Sequence, residues 1–402
     1  MLGRARRLAP YLLALAPFAF LPPAARADGE GDKPAEPPPP KKEKPTKDDT
    51  SIFLDWKIVK NRGIANAKDR GTYWEGKGTA GKDLVWLGFI WNRAEVYDKA
   101  ISAWEQFLEW KPPEGTDKDS VKIKETYEKN REPARQELIG AYLWAKKYPE
   151  AVKAAEDFRK EFAASQVIPG TWDDQGKAHR LAGETDKAIE AFSKCAESKV
   201  LKGLFDLVDV YIYDGKVDEA KAAIAKYPME GARQVESDVL KGFLDLIGTD
   251  APSIEKGVSV GSSEAPTAWK GKATAVYYWH MQLSDGERRI LLWDQACKEA
   301  AGARSVALST YNKLNPVTQK IEPDMAEDKE IDWYKKQVAD FKATFPASLV
   351  VPKDVIDGLG LKREGQTVIV DGEGKIRYTR IGDTFKYDRI VIGLALKRFA
   401  GG

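Results

Sequence analysis

The sequence predicts two folded domains of different class, an all-α helical-repeat domain followed by an α/β domain. Small and aromatic residues recur at helical spacing between residues 51 and 245. The segment 251–402 instead alternates short apolar strands with helical patterns. With 12 Trp, 15 Tyr and 14 Phe, the chain has enough large apolar side chains for more than one core.

Residues 1–27 have the pattern of a cleaved export signal. Arginines within 4–7 precede a short apolar stretch over 8–20, and Ala25-Arg26-Ala27 offers a small-residue cleavage site. The apolar stretch is shorter than the roughly 20 residues that span a bilayer, and no later apolar run is long enough. We therefore expect an exported protein without a membrane anchor, most simply in a bacterial periplasm.

Residues 28–50 are predicted to form a disordered linker. They contain six prolines, many charges and no large apolar side chain. A polyproline ligand for a partner domain is the alternative. Without the four arginines of the signal, 60 basic residues face 62 acidic ones, a net charge near −2. This near balance argues against nucleic acid or an anionic membrane as a partner held by bulk charge.

Four helical hairpins are predicted between residues 51 and 245. Small residues such as Gly88, Gly176 and Ala188 let two helices approach closely, while Trp104 and Phe192 fill the remaining space. The recurring positions of the four units are Leu84, Leu87, Gly88, Trp91, Tyr97, Ala100, Trp104 and Phe107; Leu138, Tyr142, Tyr148, Ala151, Ala155 and Phe158; Trp172, Gly176, His179, Gly183, Ala188, Phe192 and Cys195; and Leu204, Val208, Tyr211, Gly215, Ala220, Ile224 and Tyr227.

This pattern resembles the tetratricopeptide repeat. The central alanines, Ala100, Ala151, Ala188 and Ala220, are 51, 37 and 32 residues apart, whereas a regular array has a period of about 34. We interpret the Pro-Pro-Glu-Gly sequence at 112–115 as an insertion that lengthens the first interval. The uneven period leaves a non-repeating helical bundle as the alternative.

The segment 251–402 carries apolar strand patterns separated by helical ones. The strands are predicted at 273–279, 305–309, 348–351, 367–370 and 375–379, and the helices at 287–301, 331–344 and 388–399. Asp371-Gly372 and Gly374 mark a hairpin between the last two strands. Strand–helix alternation followed by a closing hairpin and a last helix indicates an α/β domain.

This order resembles the redoxin branch of the thioredoxin-like superfamily, which includes exported thiol-disulfide oxidoreductases and peroxiredoxins. The resemblance is carried by Phe345-Pro346 with Val350-Val351, by Gly358–Leu361, and by the hairpin Thr367–Ile376 with Arg380–Gly382. It implies a thioredoxin-like fold with a reactive cysteine or Cys-x-x-Cys pair at the corner Ala273–Asp285. It also implies a cis-proline before the fourth strand.

The residues of that chemistry are missing. Gln282 and Asp285 stand near the dithiol positions, Gly365 stands at the cis-proline position, and no proline follows Pro352. An amide and a carboxylate cannot exchange disulfides, and we interpret Asp285 as a helix cap. We interpret His280, at the strand exit, as a loop residue, with a catalytic base as the alternative.

The two cysteines, Cys195 and Cys297, fall in different predicted domains. Cys297 shares a helix face with Ile290 and Trp293, and Cys195 occupies a small-residue position of the third repeat. We predict two buried, reduced thiols, with a bond between them as the alternative.

No cofactor or metal is expected. Two histidines cannot build a His-rich metal site, and no Cys-x-x-Cys spacing exists. The glycine-rich stretch 71–79 lacks the spacing of a phosphate loop and is predicted to be a loop between helices.

Together these patterns predict an exported interaction or scaffold protein without catalytic residues. Its tetratricopeptide-like repeats would bind a protein or peptide partner on a concave surface. Its thioredoxin-like domain would serve as a redox-inactive docking or structural module. The alternatives are an oxidoreductase acting through Cys297 or a partner's thiol, and a structural component of the cell envelope. The partner's identity stays open.

Overall fold

The computed structural model describes residues 52–60, 64–261, 265–279, 286–300, 303–311, 313, 322, 324–340, 346–381 and 386–400. The N-terminal part of this described chain is helical. Its helices are α1 (Ile52–Val59), α2 (Ile64–Gly76), α3 (Leu84–Arg93), α4 (Tyr97–Glu109), α5 (Lys118–Trp144), α6 (Tyr148–Glu161), α7 (Ile168–Leu181), α8 (Thr185–Glu197), α9 (Leu201–Tyr213), α10 (Val217–Lys226) and α11 (Ala232–Leu244).

Four hairpins, α3–α4, α5–α6, α7–α8 and α9–α10, share one turn geometry. In each, a residue with positive φ lies five positions before the buried central alanine, as Glu95 does before Ala100. The turn residues are Glu95, Lys146, Gly183 and Gly215, with φ of 58°, 63°, 80° and 76°. Because the same turn recurs at the uneven intervals of the alanines, the predicted tetratricopeptide-like repeats are confirmed.

Close glycine–aromatic contacts hold the first and third hairpins together. A Cβ at Gly88 would lie 2.4 Å from Trp104 Nε1, and one at Gly176 would lie 2.5 Å from the ring of Phe192. Trp104 also donates its indole N–H to the Val85 carbonyl at 3.2 Å. Two helices can therefore pack with a large ring at their crossing only because the facing residue has no side chain.

Two features of the helical part differ from the simplest reading of the sequence. The stretch 71–79, predicted to be a loop, is helical as far as Gly76. A Cβ at Gly71 would lie 2.9 Å from the ring of Trp91, so this glycine serves helix packing. The long first interval arises from the non-helical stretch 110–116 together with the 27-residue α5, which Asp117 caps by accepting from two backbone amides.

The C-terminal part forms a mixed sheet with flanking helices. Its elements are β1 (Val258–Ser259), β2 (Thr274–Tyr278), α12 (Gly286–Lys298), β3 (Arg304–Thr310), α13 (Glu327–Asp340), β4 (Ser348–Val351), α14 (Lys353–Gly358), β5 (Gln366–Val370), β6 (Ile376–Ile381) and α15 (Lys386–Ala400). The strand order is β1-β4-β3-β2-β5-β6, with β2, β3 and β4 parallel and the other pairings antiparallel. The predicted α/β thioredoxin-like class is confirmed.

The described residues, which lie between 52 and 400, belong to one compact unit. One hydrophobic core runs from the third and fourth repeats into one face of the sheet, with Leu207, Trp293 and Tyr378 among its members. A second core on the other face includes Phe243 of α11. The change from helices to strands falls between α11 and β1, and the domain limits 51–245 and 251–402 stay a prediction.

Candidate functional site

The corner that follows β2 is only partly described. His280, Gln282 and Asp285 lie outside the described residues. Gly365 lies beside the end of β2, where its N–H donates to the Tyr278 carbonyl at 2.8 Å, and its φ is 78°. A proline can supply neither that N–H nor that φ, so the backbone here is shaped for glycine.

Two titratable groups lie near this corner that the sequence patterns did not single out. The pKa of Glu364 is raised by burial, against the opposing charge of Arg289. Burial, together with the charges of Glu364 and Asp357, also raises the pKa of Tyr278. The sequence gives little indication of these two groups, because a single Glu beside a glycine is typical of an ordinary loop.

Both cysteines are free thiols enclosed in the core. Cys195 is 0% exposed and faces Gly203, where an added Cβ would lie 2.6 Å from its Sγ. Cys297 is 2% exposed and shares a core with Ile290 and Trp293, as their spacing predicts. Burial raises the pKa of both thiols, and nearby aspartates raise it further. A raised pKa disfavours the thiolate, which is the form that attacks disulfides and peroxides.

A cluster of buried charges joins the repeats to the sheet. We call it the interface cluster, and it contains four acids, four bases and two tyrosines: Asp173, Lys177 and Arg180 of α7; Lys202, Asp206 and Asp209 of α9; Tyr378 and Arg380 of β6; and Tyr387 and Asp388 of α15. Apart from Lys202, its side chains are almost entirely enclosed. The equal numbers of opposite charges let so many ionic groups stay buried.

Arg380 is the centre of the interface cluster. Its guanidinium lies 2.6 Å from carboxylate oxygens of both Asp206 and Asp388, and 3.7 Å from Asp209. Asp209 in turn pairs with Arg180 at 2.7 Å and accepts a hydrogen bond from the Tyr378 hydroxyl. One strand residue thus ties together the fourth repeat and the last helix.

The second half of the interface cluster is built around Asp173. This carboxylate is paired with Lys177 and lies 3.5 Å from the ammonium of Lys202, which also reaches Asp206 at 3.3 Å. The ring of Tyr387 lies within cation–π distance of Lys177, Lys202 and Arg380. The electron-rich ring therefore attracts the three cations around it.

The pKa values of the two acids that share these lysines are shifted in opposite directions. Burial raises the pKa of Asp173 to about 6, and the charge of Asp206 adds to this rise against the opposing Lys177. For Asp206 burial also acts upward, but Lys202, Arg380 and Lys177 outweigh it and hold the pKa well below its ordinary value. Of these two carboxylates, Asp173 is thus the one that changes charge nearer to neutral pH.

Counting positions back from the turn of each repeat shows that the charged helix face of repeats three and four corresponds to an aromatic face in repeat one. Phe89, Lys177 and Asp209 each lie six positions before the turn residue of their repeat. Trp86 and Asp206 each lie nine positions before theirs. The face of the helices that carries charge and holds the sheet in repeats three and four is therefore aromatic in repeat one.

Four rings of α1 and α3 form this surface, which we call the aromatic face: Phe53, Trp56, Trp86 and Phe89. Ring centroids lie 4.7 Å apart for Phe53–Trp86, 5.7 Å for Trp86–Phe89 and 5.3 Å for Trp56–Phe89. Phe53 is 37% exposed and the other three rings are half-buried. A cavity of about 840 Å³ lies against Phe53 and Trp86, and one of about 660 Å³ lies against Trp56 and Phe89.

The described residues hold no group of three or more His, Cys, Asp or Glu side chains arranged to bind a metal ion. His179 is buried, and its Nδ1 lies 2.6 Å from a carboxylate oxygen of Glu184. Among the helices described, none has both the length and the apolar character to cross a membrane.

No protein-family model matches the chain, and no curated protein matches its sequence. Solved structures similar to it include a thermophilic TPR protein from Thermus thermophilus, at 14% identity and TM-score 0.32, covering 49% of this chain and 100% of that one. A thioredoxin-like protein from Bacteroides caccae is 14% identical with TM-score 0.31, over 61% and 92% of the two chains. The exposed lipoprotein thioredoxin of Streptococcus pneumoniae is 20% identical with TM-score 0.25, over 32% and 87%. The helix pairing and sheet order of the chain itself define its class: tetratricopeptide-like repeats joined to a thioredoxin-like domain.

Proposed function

We propose that this chain is an exported, non-enzymatic binding protein whose first repeat recruits a protein or peptide partner. The observation behind the proposal is that the same face of the repeat helices changes from aromatic in repeat one to charged in repeats three and four. In repeats three and four the face is charged and covered by β6 and α15, whereas in repeat one it presents the half-exposed aromatic face. Exposed aromatic surface beside cavities is typical of protein interaction sites, and Trp and Tyr dominate binding energy there.

The same geometry gives the thioredoxin-like domain a structural role. Its β6 and α15 occupy the face of the third and fourth repeats that an open array would offer to a ligand. Both thiols are enclosed and protonated, and Gly365 fills the proline position. These features support a redox-inactive domain that braces the repeat stack.

The absence of thiol chemistry is tested by titrating native and unfolded protein with a thiol reagent, followed by insulin-reduction and peroxide-consumption assays. We expect two thiols to react quickly only after unfolding, and no turnover above buffer. Fast labelling of native Cys297, with turnover that a Cys297→Ser variant loses, would establish the oxidoreductase alternative instead.

Partner binding is tested by lysine-directed cross-linking of the full-length exported protein, followed by mass spectrometry. Lys82 and Lys122 line the cavity beside Phe53, so we expect them to cross-link to a partner protein. A Phe53→Asp variant should lose these cross-links. Val235→Ser is the matched control, since Val235 is an exposed apolar residue on α11, away from the aromatic face. Cross-links that survive Phe53→Asp would show that the partner does not bind through the aromatic face and would refute the proposal.

A further inference from the structure

A second surface, distinct from the aromatic face, lies where the repeats meet α12 and α15. It is a groove of about 600 Å³ that we call the basic groove. Its floor is apolar and is formed by the half-buried side chains Leu181, Leu292, Ile390 and Leu394. A volume of this size holds several side chains of a ligand.

The rim of the basic groove is cationic. Lys146 lies in the turn of the second repeat, and Lys386, Arg389 and Lys397 belong to α15. Glu299 is the acidic residue that also lines the groove. Lys146, Arg389 and Lys397 form no ion pair with the described part of the chain. The pKa of Lys386 is lowered by burial and by the charges of Arg389 and Lys146, against the opposing Glu95, which reflects how close these cations lie. Elsewhere on this surface, cations such as Arg398 are paired with acids.

The spacing of the cations limits what fits. Arg389 and Lys397 are eight residues apart on α15, which at about 1.5 Å per residue places them about 12 Å apart along the helix. The apolar residues Ile390 and Leu394 lie between them. An amphiphile with one anionic head, such as a fatty acid, can pair with the cation at one end of the groove only. A peptide with acidic residues on both sides of an apolar side chain can pair with the cations at both ends.

We propose that the basic groove binds an acidic, amphipathic peptide segment of a protein partner. Its apolar side chain packs on Ile390 and Leu394 while carboxylates on either side pair with Arg389 at one end and Lys397 at the other. Binding at this site does not require the aromatic face, so the two sites can be occupied together.

The test is fluorescence anisotropy on the full-length protein with a labelled synthetic peptide that carries two glutamates on each side of a leucine pair. We expect saturable binding that weakens as salt rises, because the contacts at both ends are ionic. Arg389→Glu and Lys397→Glu should each weaken binding tenfold or more, and Leu394→Ser should weaken it without changing the salt dependence. Lys336→Glu, an exposed lysine on α13, is the charge-matched control and should leave binding unchanged.

Several outcomes would overturn the proposal. Equal binding by the wild type and the two charge-reversal variants is one, and equal binding of a peptide with lysines in place of the glutamates is another. Dodecanoate binding in the absence of peptide binding would assign the groove to an anionic amphiphile. Circular dichroism of each variant separates loss of the site from loss of the fold, and none of these readouts depends on Phe53.

Discussion

At the scale of single residues, the fold raises the pKa of Asp173 towards neutral pH. It is enclosed beside two lysines and a second aspartate, and burial together with that aspartate raises its pKa to about 6. The folded state therefore binds a proton at Asp173 more tightly than the unfolded chain does. Such a group links folding to pH with a sign opposite to that of an ordinary surface aspartate.

We predict that wild type loses stability relative to an Asp173→Asn variant as the pH rises. The contribution of the Asp173 proton is fully present below the ordinary pKa of 3.8 and is lost as the pH passes about 6. At about 1.4 kcal/mol per pKa unit, the difference in unfolding free energy should change by about 2.4 kcal/mol between pH 4 and 7. Urea unfolding across this range measures it.

Asp157→Asn is the control for this experiment. Asp157 is half-exposed, and its hydrogen bond with Lys153 lowers its pKa, so its stabilising contribution is lost as the pH falls instead. Its effect should be small and of opposite sign, as for most surface pairs. A wild type that gained stability relative to Asp173→Asn as the pH rises would contradict the direction assigned to Asp173.

At the scale of elements, the turns of the four hairpins show one conformation filled by different residues. Gly183 and Gly215 adopt positive φ without strain. Glu95 and Lys146 are strained in the same conformation because their Cβ atoms crowd the backbone. The first two repeats therefore keep a correct turn at some cost in stability.

We predict that Glu95→Gly raises the unfolding free energy by up to about 1 kcal/mol, and that Gly183→Ala lowers it by about 1 kcal/mol. The gain for glycine is partly offset by the greater freedom of the unfolded chain. Thermal unfolding followed by circular dichroism measures both. Glu95→Gln, which removes the charge and keeps the strain, should leave stability unchanged within error. A gain as large as that of glycine would show that charge, and not φ, matters at this turn.

The same elements show which parts of the fold the sequence could predict. Close glycine–aromatic pairs such as Gly88–Trp104 leave a strong local pattern, so the repeats were predictable despite their uneven period. The strand predicted at 348–351 was also found at its expected limits. Strand β1 was missed because two residues carry no period, and the six-residue α14 is too short to show a helical face.

At the scale of the whole molecule, the decisive contacts join distant parts of the chain. The hydrogen bond between Tyr378 and Asp209 links residues 169 positions apart. A local pattern can mark Asp206 and Asp209 as unusual acids in an apolar helix, but it cannot name Arg380 as their partner. The interface cluster therefore lay beyond sequence reasoning, and so did the covering of repeats three and four by the thioredoxin-like domain.

The interface cluster makes a clear prediction about how the molecule unfolds. Removing Arg380 leaves Asp206 and Asp388 buried without their shared cation, and breaking a buried ion pair in this way costs about 3–5 kcal/mol. We expect Arg380→Met to lower the unfolding free energy by this amount, and Arg380→Lys to lower it less, because lysine keeps the charge but cannot bridge two carboxylates.

The loss should also change the form of the transition, because the cluster adds to the shared hydrophobic core in coupling the repeats to the sheet. In the wild type we expect one cooperative unfolding step by both far-ultraviolet circular dichroism and tryptophan fluorescence. In Arg380→Met the two signals should separate, since the interface no longer holds both parts to one stability. Arg377→Met is the control on the same strand: Arg377 is half-exposed and pairs with Asp371, so its loss should cost at most about 1 kcal/mol and keep a single transition. Coincident transitions in Arg380→Met, at wild-type stability, would mean that the hydrophobic core alone joins the repeats to the thioredoxin-like domain.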